Sequence, residues 1–281
     1  MSDEFIVSTG RIVKEYLDEY KISQRELSAR SGISEKHISN VLNGNCRLTE
    51  EFALKLEKIL VGVPASYWLN YEVKYRENLA REVELAHINQ ENLEEIAQRF
   101  HFNEVFNGLD LTLVEQAIEM LKLLKISDYS NFDDAYKNLI VNFPDDDGEK
   151  EAIAVWLNLC ESEIEIQNGE LADVKYNEKA LKSNLRNFKI LVNNKQGDLS
   201  MKECQKWCNK QGIYLVFCEA LTNSRVRGAL TTYKGQPAIY LNRCLRTHDY
   251  IGDEFMYEIE CLATHYDKVP SQNMRTELFT G

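Results

Sequence analysis

Residues 35–40, Glu-Lys-His-Ile-Ser-Asn, carry side chains suited to recognition rather than to bond making. Lys36 can donate to guanine and Asn40 can pair with adenine through two hydrogen bonds. Glu35 can accept from cytosine, and Ser39 is permissive. His37 completes the outward set. Ile38, Val41 and Leu42 form an i, i+3, i+4 apolar stripe, which puts the polar residues on the opposite face of a helix. A solvated face in an all-helical domain has the same pattern, so the neighbouring segments must separate the two readings. A second group lies near the other end of the sequence. Cys261 and His265 stand i, i+4 on one predicted helix face, with Glu258 one turn back. Such a Cys/His/Glu set could touch a metal ion.

The elements that would position the first group are legible in their end signals. Ser23 is a helix N-cap, and Glu26 three residues later completes a capping box. Leu27 and Ala29 supply the apolar side of that helix. Gly32 ends it, because glycine takes a left-handed turn at little cost. Ser34 caps the next helix at once, and Asn43-Gly44 stops it. Upstream, Ile12, Tyr16, Leu17 and Ile22 are spaced as a packing helix. Downstream, Thr49 caps a helix whose apolar face is Phe52, Leu56 and Ile59. Pro64 opens a long helix from about Ala65 to His87, with Tyr67, Trp68, Tyr71 and Tyr75 as an aromatic stripe. That stripe reads as core within the domain or as a dimer surface.

Five helices in about 75 residues, two of them capped and joined by a tight glycine turn, predict a helix-turn-helix whose second helix lies in a major groove. The expected DNA-binding residues are Ser23, Gln24, Arg25, Ser34, Glu35, Lys36, His37, Ser39, Asn40, Asn43 and Arg47. Arg11, Arg25, Lys36 and Arg47 are the candidate phosphate cations, with Ser23, Gln24 and Asn43 as neutral donors. The arrangement resembles the XRE-type helix-turn-helix of phage repressors. It is closer still to the HigA-type antitoxin branch. The matching runs are Thr9-Gly10-Arg11-Ile12-Val13-Lys14-Glu15, Ser23-Gln24-Arg25-Glu26-Leu27-Ser28, Ile38-Ser39-Asn40-Val41-Leu42-Asn43-Gly44 and Tyr67-Trp68-Leu69-Asn70-Tyr71 with Tyr75. Many XRE proteins share the first three, and the last is the more specific.

The net charge of −12 is unevenly placed. Residues 1–60 carry 9 Lys/Arg against 10 Asp/Glu, and the remainder carries 24 against 35. The acid therefore lies mostly outside the candidate reader, where it would limit nonspecific DNA binding. So few cations per copy predict a homodimer on an inverted-repeat operator in double-stranded DNA. The seven cysteines are scattered, with Cys204 and Cys208 at i, i+4, and are read as reduced and mostly buried. No apolar run reaches membrane-spanning length, and the start has neither the basic nor the apolar region of a signal peptide. The expectation is a cytoplasmic protein without a membrane partner, cofactor or metal.

The fold class predicted is mainly α, in three parts: a five-helix XRE helix-turn-helix domain over 1–88, a helical middle over 89–198, and a small α+β domain over 199–281 with a short sheet. In the middle, residues 91–100, 111–124, 132–140, 149–167 and 177–191 all show the helical period. Residues 142–148 read as a loop whose acidic run, Asp145 to Asp147, is solvated. Strands are predicted at 213–217, 228–233 and 237–241, with Phe217, Ile239, Leu241 and Leu262 in one small core. This last part resembles the ImmA/IrrE metallopeptidase-like family in Gly212 to Phe217, Arg227 to Leu230, Pro237 to Leu241 and the helix Tyr257 to His265. The family's two zinc-binding histidines fall at Tyr257 and Cys261, and its glutamate falls at Glu258. The chain ends before a further acidic ligand. A zinc hydrolase needs three protein ligands and an open position for water, so the resemblance implies a degenerate domain with no catalytic residues. Glu258 is then an exposed or hydrogen-bonded carboxylate.

The function expected is an autorepressing transcriptional regulator, either a HigA-like antitoxin or a mobile-element repressor. The alternatives are a zinc peptidase that cleaves a partner regulator and a toxin-neutralising interaction protein with weak DNA binding. In either antitoxin reading, a cognate toxin is the implied partner.

Overall fold

The computed structural model describes residues 7–88, 92–137, 141–142, 148–171, 174–194, 201–243, 248–265 and 278–279. The chain divides into two compact units, residues 1–91 and 92–281.

The first unit is five helices: α1 (Thr9–Glu19), α2 (Gln24–Ser31), α3 (Glu35–Leu42), α4 (Glu50–Ile59) and α5 (Ala65–Ile88). Four begin at a hydroxyl cap. Ser8, Ser23, Ser34 and Thr49 accept from the backbone N–H of Arg11, Glu26, His37 and Phe52. Each satisfies a donor that the first turn leaves without a partner, worth about 1 kcal/mol. The expected capping box at α2 is only half formed, because the Glu26 carboxylate pairs with Arg30 one turn on. Val13, Leu17, Ile22, Leu27, Ile38, Val41, Leu42, Phe52, Leu56 and Trp68 make one core. Ala29, expected on the apolar side of α2, is exposed. Trp68 is fully buried and meets Tyr16 edge to face at 5.0 Å, whereas Tyr67 remains 39% exposed. The aromatic stripe of α5 is thus partly core. Gly10 lets α1 touch the end of α3, since a Cβ there would collide with the carbonyl oxygens of Val41 and Leu42.

The second unit contains α6 (Leu93–Arg99), α7 (Phe102–Val105), α8 (Leu113–Leu124), α9 (Phe132–Ala135), α10 (Lys150–Gln167), α11 (Glu178–Asn194), α12 (Met201–Lys210) and α13 (His248–His265). A complete capping box occurs at α8, between Thr112 and Glu115. Of the helix expected over 132–140, Phe132–Ala135 form one turn, α9, and residues 138–140 lie outside the described residues. Tyr136 follows α9, with its hydroxyl donating to Leu124 O at 2.9 Å and accepting from Asn158 Nδ2 at 2.8 Å. Val141–Asn142 (β1) pairs in parallel with Leu278–Phe279 (β5), so residue 142, expected to open a loop, belongs to a strand. Asp145 to Asp147 lie outside the described residues.

Strands β2 (Tyr214–Cys218), β3 (Gly228–Tyr233) and β4 (Gln236–Asn242) form a sheet in the order β2-β4-β3, with β2 parallel and β3 antiparallel to β4. Its open β2 edge is covered by side chains from the end of α10. Asn168 pairs with both the N–H and the carbonyl of Leu215, at 3.0 and 3.1 Å, and Gln167 does the same for Phe217. An edge strand otherwise offers these groups to another chain. Phe217, Ile239, Leu241 and Leu262 share one core, as expected, and are joined there by Leu181 and Phe188 of α11 and by Phe255 and Ile259 of α13. The boundary expected at 198/199 therefore does not separate two contact clusters. Helices assigned to the middle segment supply both the edge cover and part of the core of the sheet.

Candidate nucleic-acid interface

The geometry of residues 23–47 follows from local chemistry. Gly32 adopts φ 70°, the left-handed conformation that closes α2 with its N–H on Ser28 O at 2.9 Å. Two serines then lock the turn. Ser28 Oγ donates to Ile33 O at 2.6 Å, and Ser31 Oγ accepts from Ile33 N–H at 3.2 Å. Neither serine was singled out by spacing, because each acts on the residue after the glycine rather than on its own helix. Ile38, Val41 and Leu42 are buried. Each such side chain contributes roughly 1.5–3 kcal/mol, so the orientation of α3 is fixed by its inner face.

The outer face of α3 carries the predicted polar residues. Glu35, Lys36 and Asn43 are exposed, while Ser39 and Asn40 are half-buried. Lys36 and Asn40 stand one turn apart on this face. Asn43 Nδ2 donates to Ser39 Oγ at 3.3 Å, which ties the end of the helix to its middle. His37 differs from the others. It is half-buried, with its ring 6.4 Å from that of Phe52 on α4, so packing competes with any role in contact.

Ser23, Gln24 and Arg25 are exposed at the start of α2, and Ser34 is exposed at the start of α3. The N-terminal ends of both helices present backbone N–H groups that suit phosphate oxygens. Among the described residues Arg25 and Lys36 enter no ion pair, whereas Arg11 pairs with Glu15 at 3.5 Å and Arg47 with Glu50 at 3.3 Å. Both pairs are well exposed, and surface pairs of this kind are worth about 0–1 kcal/mol. A phosphate can displace the carboxylate at small cost. The structure thus brings Gln24, Arg25, Lys36, Ser39 and Asn40 onto two successive helices, with Arg47 beyond the end of α3.

The second group of residues has a different setting. Of the two settings expected for Glu258, exposed or hydrogen-bonded, the exposed one is ruled out: the residue is fully buried, and its Oε1 lies where a Cβ on Gly228 of β3 would be 2.7 Å away. Tyr257 next to it is 43% exposed, and Cys261 is half-buried against the core. The side chain of His265 lies outside the described residues. Among the described residues no group of three His, Cys, Asp or Glu side chains could hold a metal ion.

Residues 13–68 match the family model described as Helix-turn-helix. The chain is also similar to an uncharacterized HTH-type transcriptional regulator, YddM, of Escherichia coli (strain K12), with 36% identity over 63 residues. That stretch is 22% of this chain and 66% of the relative, just under two thirds of its length. The caps at Ser23, Ser34 and Thr49, the glycine turn and the buried stripe of α3 lie within residues 13–68, and the N-terminal unit carries a helix-turn-helix domain of the XRE family.

Proposed function

We propose that the protein is a sequence-specific DNA-binding transcriptional regulator that lays α3 in a major groove and represses its own operon. The observation that carries this reading is the division of α3 into two faces. Ile38, Val41 and Leu42 fix one against the core, and Lys36 and Asn40 leave base-reading groups on the other. The HTH-type regulator among its relatives supports the same class of activity.

The working form is a two-fold dimer on an inverted repeat, because one domain with so few unpaired cations binds weakly alone. In this reading the second unit is noncatalytic and serves a partner or a signal. The burial of Glu258, which removes its carboxylate from the helix surface, favours that reading over a zinc peptidase. The regulator is an antitoxin if its operon encodes a toxin, and a mobile-element repressor otherwise.

Footprinting on the DNA upstream of its own gene tests the proposal. Two protected half-sites about one helical turn apart are expected. Protection of a single half-site by a monomer at full affinity overturns the dimer, and absence of any specific protection overturns the regulator.

A further inference from the structure

The turn after α3 has little of its own to offer a phosphate. The N–H groups of Asn43, Gly44, Asn45 and Cys46 all donate back to carbonyls of α3, at 2.8 to 3.2 Å. The negative end of the α3 dipole lies here as well and opposes an anion. Of the side chains, Asn43 is tied to Ser39 and Arg47 is paired with Glu50. A helix laid in a major groove has a phosphate strand on either side. The start of α2 can serve one strand with free N–H groups. The turn after α3 borders the other, and its donors must come from another element.

Helix α5 reaches that turn. A Cβ on Gly44 would lie 3.8 Å from Tyr75 Oη, so the phenol rests against the turn. Tyr75 is half-buried, and among the described residues its hydroxyl enters no hydrogen bond. The next residue adds a cation, with Arg76 Cζ 5.5 Å from the centre of the Tyr75 ring. We propose that Tyr75 and Arg76 form a phosphate-contacting site on α5, which grips the DNA strand beside the end of α3. The site rests on the DNA-reading function proposed above, and it gives Tyr75 a use beyond the core or dimer surface expected of the aromatic stripe.

Glu72 prepares the cation. It is 3% exposed and accepts from Arg76 Nε at 2.8 Å. That bond uses Nε alone, so the Nη groups stay available, and the Arg76 side chain is 38% exposed. The planar guanidinium can hold a carboxylate on one edge and a phosphate on another. A side chain already held by a carboxylate and a ring loses little further freedom when an anion arrives. The Tyr75 hydroxyl supplies a neutral donor of the kind that positions a protein on the duplex without reading bases.

The test uses the full-length protein with a duplex spanning the DNA upstream of its own gene, beside a duplex of unrelated sequence, each titrated at several salt concentrations. Tyr75→Phe keeps the ring against Gly44 and removes only the hydroxyl. It should weaken binding to both duplexes by about three- to tenfold, with base preference and salt slope unchanged. Glu72→Gln combined with Arg76→Gln removes the cation without stranding a buried carboxylate. This double variant should weaken binding to both duplexes and lower the salt slope by about 1. Ethylation interference locates the contact, since a phosphate that matters to the wild-type chain should cease to matter in Tyr75→Phe. If the wild-type chain binds and both variants match it in affinity and slope, the α5 site is overturned and the reader stands. Weaker binding of the upstream duplex alone, with a lowered melting temperature, means that these residues only support packing, and it overturns the site as well. If the wild-type chain binds neither duplex, the DNA-reading function falls and takes the α5 site with it.

Discussion

In α3, Lys36 and Asn40 lie opposite a buried apolar stripe, within reach of an outside partner. In α13, the glutamate that similar spacing singles out is fully buried against Gly228 of β3, and the residue beside it, Tyr257, is the one that faces out. Both segments place polar side chains at helical intervals. They differ in which face the rest of the fold consumes. The inner face of α3 is satisfied by α1, α2 and α4, and its polar face is left over. In α13, Phe255, Ile259 and Leu262 are drawn into the core of the sheet, and Glu258 is carried in with them. Residue type at a given spacing therefore becomes a site only where packing leaves it reachable.

The sharpest way to break this contrast is to remove the inner face of α3. Ile38→Ala should cost about 2–5 kcal/mol of stability through lost burial and a cavity, and should abolish specific DNA binding along with it. Thermal unfolding followed by circular dichroism checks the first effect, and a gel shift with operator DNA checks the second. An unchanged melting temperature would mean that α3 is not anchored by its stripe.

Next in size is the outer face. Lys36→Ala or Asn40→Ala should weaken specific binding by about 1–3 kcal/mol and relax preference at one base position, with stability held within about 0.5 kcal/mol. Arg25→Ala should weaken binding to all sequences and lower the salt slope by about 1. Glu258→Gln should leave operator affinity unaltered in folded protein. Competition binding across a panel of base substitutions at several salt concentrations separates these outcomes. If Glu258→Gln impairs binding as much as Lys36→Ala does, the two segments are not different in kind.

What could be read beforehand was what is encoded locally. Ser23, Gly32, Ser34 and Thr49 act on backbone groups within four residues, so their caps and turn stand where the sequence puts them. The three strands of the main sheet follow from short apolar runs bounded by glycine and turn residues. What escaped depends on contacts across long separations. Gly10 reads as one residue of a motif, yet its importance comes from carbonyls some thirty residues away. Gln167 and Asn168 look like an ordinary polar helix end, but they cover β2, 47 to 50 residues later. Their pairing joins the end of α10, in the expected middle segment, to the sheet of the last one. The same is true of Glu258, whose burial is decided by a glycine on another element.

The smallest expected effect probes a third kind of carboxylate in the second unit, neither buried like Glu258 nor free to meet DNA. Glu104 accepts from Thr222 N–H at 2.8 Å and faces His101 Nδ1 at 3.0 Å. His101 Nε2 faces Glu149 at 2.9 Å, and Glu149 accepts from Asn223 Nδ2 at 2.8 Å, so the cluster ties α7 and the start of α10 to the loop after β2. Burial raises Glu104, but the Thr222 N–H and His101 outweigh it and hold the carboxyl below its ordinary value. The folded state therefore binds fewer protons than the unfolded state as pH falls through the carboxylate range. The stabilisation is complete above the unfolded pKa and is lost as pH drops through the lower, folded one. Because Glu104 is over one third exposed, solvent screens this contribution and the slope is shallow. Glu104→Gln should flatten the acid limb of stability, measured by urea unfolding from pH 6 down to pH 3, while leaving operator binding at neutral pH intact. An acid limb of unchanged slope in the variant would show that the clamp does not contribute to stability, and a loss of DNA binding would join this cluster to the reader after all.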